Sequence, residues 1–234
     1  MKWEIGFDHD FEVRRENYDS DLQFTVLFVS DLHFNKFSGP IVNRLISAIS
    51  ELNATIILFG GDYVDTRNGF MHLEKLLQSV AARNNVFAIA GNHDIFYGIE
   101  KIRSVMIANN VYWLEKPAEV IVAGKRIAIN AGANINADFS ILLVHKPADV
   151  QPLRHIHNLV FAGHLHGCQF VFSENEKGLY PGRLFYKWNI LKKTYGKCTY
   201  LVSKGMGDTL PVRYNCKRDI IFVEVGAIAG KESY

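Results

Sequence analysis

Cysteine is scarce in this chain. Cys168, Cys198 and Cys216 are odd in number, widely spaced and form no C-x-x-C pair. That excludes a disulfide framework and a zinc ribbon, and it suits a reducing compartment. No apolar run reaches the roughly 20 residues of a membrane-spanning helix. The first residues, MKWEIGFDHDFEVRREN, carry early acids and no signal-peptide core. A soluble, cytoplasmic protein is expected. An excess of one charge is missing too: 26 Lys and Arg face 24 Asp and Glu, for a formal net charge of +2. Nothing global therefore draws the chain to nucleic acid or anionic membrane. Repeats, low-complexity tracts and Pro- or Ser-rich linkers are absent, so no boundary divides residues 1–234 and one domain is expected.

What is present is an alternation of strand and helix patterns. Phe24–Val29 (FTVLFV), Thr55–Phe59 and Val86–Ala90 are short β-branched and aromatic runs, which predict buried strands. Between and after them, Pro40–Asn53, Met71–Ala82 and Ile99–Ala108 carry apolar residues at helical spacing, with Pro40 suited to a first turn. Beyond residue 110 the pattern turns β-rich. Strands are expected at Val111–Leu114, Val120–Val122, Arg126–Asn130, Phe139–Val144, Leu159–Phe161, Gln169–Phe172, Thr199–Val202 and Ile220–Val225, with Gly124-Lys125 as a hairpin turn. Such a chain fits an α/β fold of two packed mixed sheets flanked by helices, a four-layer αββα sandwich.

The informative residues stand where apolar runs end. FTVLFV leads into Ser30-Asp31-Leu32-His33, and TIILF into Gly60-Gly61-Asp62-Tyr63-Val64-Asp65. VFAIA leads into Gly91-Asn92-His93-Asp94, FSILLV into His145, and LVFA into Gly163-His164-Leu165-His166-Gly167. Ligands of open α/β sheets bind at the carboxyl ends of strands. Imidazole and carboxylate suit divalent metals of intermediate softness, and an Asn carbonyl can complete a shell. Asp31 with His33, and His164 with His166, point the same way if the backbone stays extended, so each pair could chelate. One such motif is ordinary turn chemistry. Five in succession, each after a strand, would bury unpaired polar groups and repelling carboxylates unless metal were present.

The order D-x-H, G-D-x-x-D, G-N-H-D, H, G-H-x-H over residues 31–167 resembles the calcineurin-like metallophosphoesterases. Within them the chain is similar to the bacterial small phosphodiesterase branch, including the members that cleave the pyrophosphate of a UDP-diacylglucosamine. The late segment Ser203-Lys204-Gly205-Met206-Gly207, followed by Pro211-Val212-Arg213, also matches that branch. The resemblance implies a pair of divalent ions, manganese favoured and iron or zinc also suited. It implies Asp31, His33 and His166 on one ion, Asn92, His145 and His164 on the other, and Asp62 between them. His93 would face the leaving group as proton donor with Asp65 orienting its ring, and Asp94 would hold the loop. The expected activity is hydrolysis of a phosphodiester or pyrophosphate by a metal-activated water, on a small-molecule or lipid-linked substrate. The alternatives are a nuclease and a non-catalytic scaffold; the near-neutral charge speaks against the first and the complete ligand set against the second. Thr66 stands where relatives acting on phosphoproteins carry Arg, with Arg67 one place on.

Other features have plainer readings. His9, His72, His155 and His157 match no motif and are expected at the surface or in turns. Cys168 is expected to pack as a small apolar residue. Phe34, Phe37, Phe96 and Tyr97 follow metal motifs and either line a pocket or pack the loops. Leu179–Tyr195 interleaves Tyr180, Phe185, Tyr186, Trp188 and Tyr195 with Arg183, Lys187, Lys192 and Lys193. It reads as a peripheral membrane contact or as a loop folded back on the sheet.

Overall fold

The computed structural model describes residues 3–5, 10–130, 132 and 136–227. Its frame is a pair of six-stranded mixed sheets. The first takes β2 (Phe11–Asp19), β16 (Arg218–Gly226), β3 (Phe24–Val29), β4 (Ile56–Phe59), β5 (Val86–Ala88) and β6 (Tyr112–Trp113), in that order. The second takes β13 (Lys192–Tyr195), β14 (Cys198–Val202), β10 (Leu159–Ala162), β9 (Phe139–Leu143), β8 (Lys125–Ile129) and β7 (Ala118–Val122). Strands β3 to β6 run parallel, as do β14, β10, β9 and β8. The parallel strands of each sheet thus deliver their carboxyl ends to one edge.

Two apolar layers hold this frame. Between the sheets, Val26, Phe28, Ile56 and Leu58 meet Ile127, Phe139, Phe161 and Leu201. The Phe28 and Phe161 rings lie 5.2 Å apart. On the far face of the first sheet pack α1 (Gly39–Leu52), α2 (Gly69–Val80) and α4 (Ile99–Ala108). Helix α1 follows its apolar stripe: Ile41, Val42, Leu45 and Ile49 are buried, and Asn53 closes it in the left-handed region at φ 43°. The two-sheet sandwich expected from the sequence is the architecture observed, with unequal outer cover. Val150, Ile190 and Trp188, all outside helices, cover Val160, Tyr200 and Val202 on the second sheet's outer face.

The structure corrects several local expectations. The first strand of the first sheet, β2, reads FEVRRENYD; its alternating charges hide it from an apolar-run reading. They pair across the edge, Arg14 with Asp219 at 2.9 Å and Glu16 with Lys192 at 2.8 Å. The β7–β8 turn falls on Ala123 and Gly124, at φ 49° and 77°, one residue before the expected pair. The strand expected at Gln169–Phe172 starts later, as β11 (Val171–Asn175), because Cys168 and Gln169 sit at φ 58°. It pairs with β12 (Gly178–Pro181), while a short strand β1 (Trp3–Ile5) pairs with β15 (Val212–Tyr214). His157 is buried, not exposed, and its Nδ1 lies 2.9 Å from Ser140 Oγ. His155 is exposed and His72 half-buried, and His9 lies outside the described residues. Phe34 is fully buried, whereas Phe37, Phe96 and Tyr97 are exposed. Leu179–Tyr195 is no single unit: it spans β12, the one-turn helix α5 (Gly182–Phe185) and β13. Trp188 packs near Tyr200 and Lys192 pairs with Glu16, but Leu184, Phe185 and Tyr186 are 73%, 78% and 53% exposed. No helix among the described residues is long and apolar enough to cross a membrane.

The inter-sheet layer sets the stability. Phe28→Ala should destabilise the fold by about 3–5 kcal/mol, through lost burial plus a cavity. Ile121→Ala, at a side chain 61% exposed on β7, should cost under about 1 kcal/mol. Urea unfolding midpoints of the two variants check the contrast.

Candidate metal centre

Each expected ligand sits in the loop that leaves a parallel strand. Asp31 and His33 follow β3, Asp62 and Asp65 follow β4, and Asn92 and His93 open the short helix α3 (Asn92–Tyr97) after β5. From the second sheet come His145 after β9, and His164 and His166 after β10. The structure brings all seven together with His93 and Asp65. Three groups form whose ligand atoms lie within 4.8 Å of one another: Asp31, His33 and His166; Asp62, His145 and His164; and, overlapping the first, His33, Asp65 and His93. Asn92 joins the second, its Oδ1 being 2.9 Å from His145 Nε2. Asp62 Oδ2 lies between the groups, 3.2 Å from His145 Nε2 and 3.7 Å from His33 Nε2.

The backbone achieves this differently from the sequence expectation. Asp31, His33, Asp62, His164 and His166 have φ of 54°, 46°, 57°, 71° and 51°. The paired motifs are therefore kinked through the left-handed region, not extended. That conformation is uncommon for non-glycine residues and costs of order 1–3 kcal/mol each. As a result His164 and His166 face different groups. Neighbouring backbone must also approach closely. A Cβ on Gly163 would stand 2.3 Å from Asp31 Oδ2, and one on Gly91 would stand 2.1 Å from Asp62 Oδ1.

Hydrogen bonds fix which imidazole nitrogen faces inward. His145 Nδ1–H donates to Gly60 O at 2.8 Å and His166 Nδ1–H to Gly207 O at 3.2 Å, since a carbonyl only accepts. His33 Nδ1 lies 2.6 Å from Asp65 Oδ1. All three rings thus turn Nε2 toward the carboxylates, the usual support behind a metal-binding histidine. His164 instead turns Nδ1 inward, 3.2 Å from His145 Nε2. The buried Nε2 of His33 has no hydrogen-bond partner. A buried lone pair left over in a ring of carboxylate and imidazole donors fits a cation.

The electrostatics make the same demand. Burial pushes the Asp31 carboxyl up, offset by His145 and His33 and reinforced by Asp62. For Asp62, burial is outweighed by the hydrogen bond and charge of His145, which hold it low. Burial also presses on His145, yet Asp62 and Asp31 lift it to about 9. His164, desolvated and beside His145, falls to about 4, and burial drives His166 well below the usual range. The carboxylates thus favour positive charge, and histidines can supply only part of it. Divalent ions meet the need with neutral rings.

Asp94 accepts from the amides of Asp62, Tyr63 and Gly91 at 3.0, 2.9 and 2.7 Å, so it holds the loops. Asp65 is nearer His33 than His93, whose Nδ1 is 3.4 Å away. The His93 ring stands edge-on to His33 at 4.7 Å, with its side chain 38% exposed. Beside His33 opens a cavity of about 640 Å³, lined by Phe37, Ile41, Met206 and Pro211 among others. The Ser203–Gly207 segment, a match to the branch with no site role implied, opens the 204–208 loop after β14, which packs against Asp31, His33 and His166. Its glycines, at positions 205 and 207, were the available signal.

Residues 24–168 match the family described as calcineurin-like phosphoesterase. Phosphodiesterase YaeI of Escherichia coli (strain K12) is 25% identical, over 88% of this chain and 84% of its own. The uncharacterized metallophosphoesterase YkuE of Bacillus subtilis (strain 168) is 28% identical, over 84% of this chain and 77% of its own. A solved archaeal phosphodiesterase is similar at a TM-score of 0.44 and 11% identity, over 77% of this chain and 84% of its own. The chain belongs to the calcineurin-like phosphoesterase family and is a metal-dependent hydrolase of phosphoric esters.

Proposed function

We propose that the chain uses two divalent ions to cleave a phosphodiester or pyrophosphate bond. The observation that carries this is Asp62, one carboxylate oxygen of which lies between two histidine groups. Asp31, His33 and His166 would hold one ion, Asn92, His145 and His164 the other, with Asp62 shared. Bound there, the ions would neutralise the phosphate charge and supply an activated water as nucleophile. The water oxygen bonds to phosphorus while the bond to the leaving oxygen breaks, and that oxygen needs a proton. His93 stands at the open rim and would give it from Nε2, with Nδ1–H directed at Asp65. Asp65 would also anchor His33, so one carboxylate would position both a ligand and the acid. The apolar cavity beside His33 would take the organic part of the ester. Manganese is the favoured ion, and the free cysteines suit a cytoplasmic setting.

For a lipid-linked substrate, the exposed Leu184, Phe185 and Tyr186 would touch the membrane surface. This moves the contact from Trp188 and Lys192, which the fold engages elsewhere, to the tip of α5.

The metal reading is tested first. Chelator-treated protein should lose hydrolysis of bis(4-nitrophenyl) phosphate and regain it with Mn²⁺, and Asp62→Ala should lose activity and metal together. An Asp62→Ala protein that keeps two tightly held ions by elemental analysis would reject the shared role. His93→Ala should keep its ions and lose about 10²- to 10⁴-fold in kcat on alkyl diesters, but less on nitrophenyl esters that need no proton. Equal losses on both would argue against proton donation. Wild type should co-sediment with phosphatidylglycerol vesicles more than Leu184→Ser/Phe185→Ser, at unchanged turnover of a soluble diester. Equal sedimentation would dismiss the membrane contact.

A further inference from the structure

Arg213 is the largest side chain among the fully buried ones of the described residues. Arginine is almost never fully buried unless its donors are met. Here all five N–H groups are used. Nε donates to Asp208 Oδ1 at 2.6 Å, and Nη1 to the carbonyls of Lys204 and Cys216 at 3.0 and 3.1 Å. Nη2 donates to the carbonyls of Gly207 and Lys204 at 2.6 and 3.0 Å. Nη2 is also 3.5 Å from His166 Nδ1, but it has no hydrogen left for it. His166 Nδ1–H can therefore go only to Gly207 O, the carbonyl that Arg213 holds in place.

The loop drawn in by Arg213 touches one ligand group. The Met206 amide donates to Ser30 O and Asp31 O at 3.1 and 3.2 Å, and the Gly207 amide to Asp31 O at 2.5 Å. A Cβ on Gly205 would stand 2.9 Å from both Asp31 Cβ and His166 Nδ1, and one on Gly207 would stand 2.4 Å from His33 Cβ. Cys216, whose carbonyl Arg213 binds, donates its thiol to His166 O at 3.3 Å. Every one of these contacts falls on the side of Asp31, His33 and His166. None involves Asp62, Asn92, His145 or His164.

We infer that Arg213 is a positioning residue for one of the two metal sites, the one built from Asp31, His33 and His166. It gathers the carbonyls of Lys204, Gly207 and Cys216 into a fixed cradle. That cradle sets the His166 tautomer, turns Nε2 toward Asp31 and supports the backbone beneath Asp31 and His33. The inference rests on the two-ion reading given above. Lysine cannot replace the guanidinium, because a single ammonium nitrogen has no planar fork to span separate carbonyls.

Mn²⁺ binding to the full chain, stripped with chelator, tests it by equilibrium dialysis and electron paramagnetic resonance. Wild type should bind two ions as a spin-coupled pair. Arg213→Lys should weaken one site 10- to 100-fold, the usual effect of losing a partner behind a ligand, and leave the other unchanged. At Mn²⁺ concentrations that fill the wild type, the variant should then show the signal of an isolated ion. If Arg213→Lys does not fold by circular dichroism, Asp208→Ala, which removes the Nε anchor together with the Arg218 contact to the same carboxylate, should weaken the same site in the same way. A folded variant that binds both ions as wild type does, or one that weakens both sites equally, overturns the inference. A wild type that binds one ion overturns the two-ion reading instead. In that case loss of the single ion in Arg213→Lys still supports the role, and its retention overturns it.

Discussion

Two buried carboxylates set among the same cluster of histidines are the constraint from which the rest of this structure follows. Asp31 and Asp62 are 0% and 1% exposed. Burying an unpaired carboxylate costs several kcal/mol even after relaxation, and a second one nearby adds repulsion. The fold answers with imidazoles from both sheets, and Asp62 and Asp31 lift His145 to about 9 against its burial. Five left-handed residues, each of which a helix or strand would reject, are tolerated because the loops are over-determined elsewhere. Asp94 ties the loops after β4 and β5 with three amide bonds, and Asp219 ties the start of the loop after β14 through Ser203 Oγ and the Lys204 amide.

That logic explains what could be read from the sequence. The inward residues were legible because each must follow an apolar strand, and a strand followed by Asp, Asn or His is a local pattern. Their sharing was legible only through resemblance, since no spacing says that Asp62 lies between His145 and His33. The turn geometry was not legible at all. An Asp-x-His reads as extended by default, and the kinked Asp31 packs against Gly163 and Gly205 far along the chain. Strand β2 was missed for a related reason: its inward charges are satisfied by Asp219 and Leu191 on distant segments, so its polar composition reads as loop. His157 shows the same limit. Burial there depends on Ser140, 17 residues earlier, offering one hydroxyl.

The site also straddles the seam between the sheets. Asp31, His33, Asp62 and Asn92 ride on the first sheet, and His145, His164 and His166 on the second. Each of the two ligand groups takes carboxylate from the first sheet and histidine from the second, so neither sheet alone completes one. Their relative placement is therefore set by the packing of Phe28 on Phe161 and of Ile56 and Leu58 on the facing strands. Protein interiors are close-packed and resist small displacements. A slide of one sheet against the other would change the 3.2 Å distance between Asp62 and His145 directly. The apolar inter-sheet core thus does more than stabilise the fold: it fixes the distances between donors on opposite sheets. The 204–208 loop supports the site in a second way, reaching from the second sheet to touch the Asp31 and His33 backbone of the first. It is a strap across the same seam, at the end that carries the ligands.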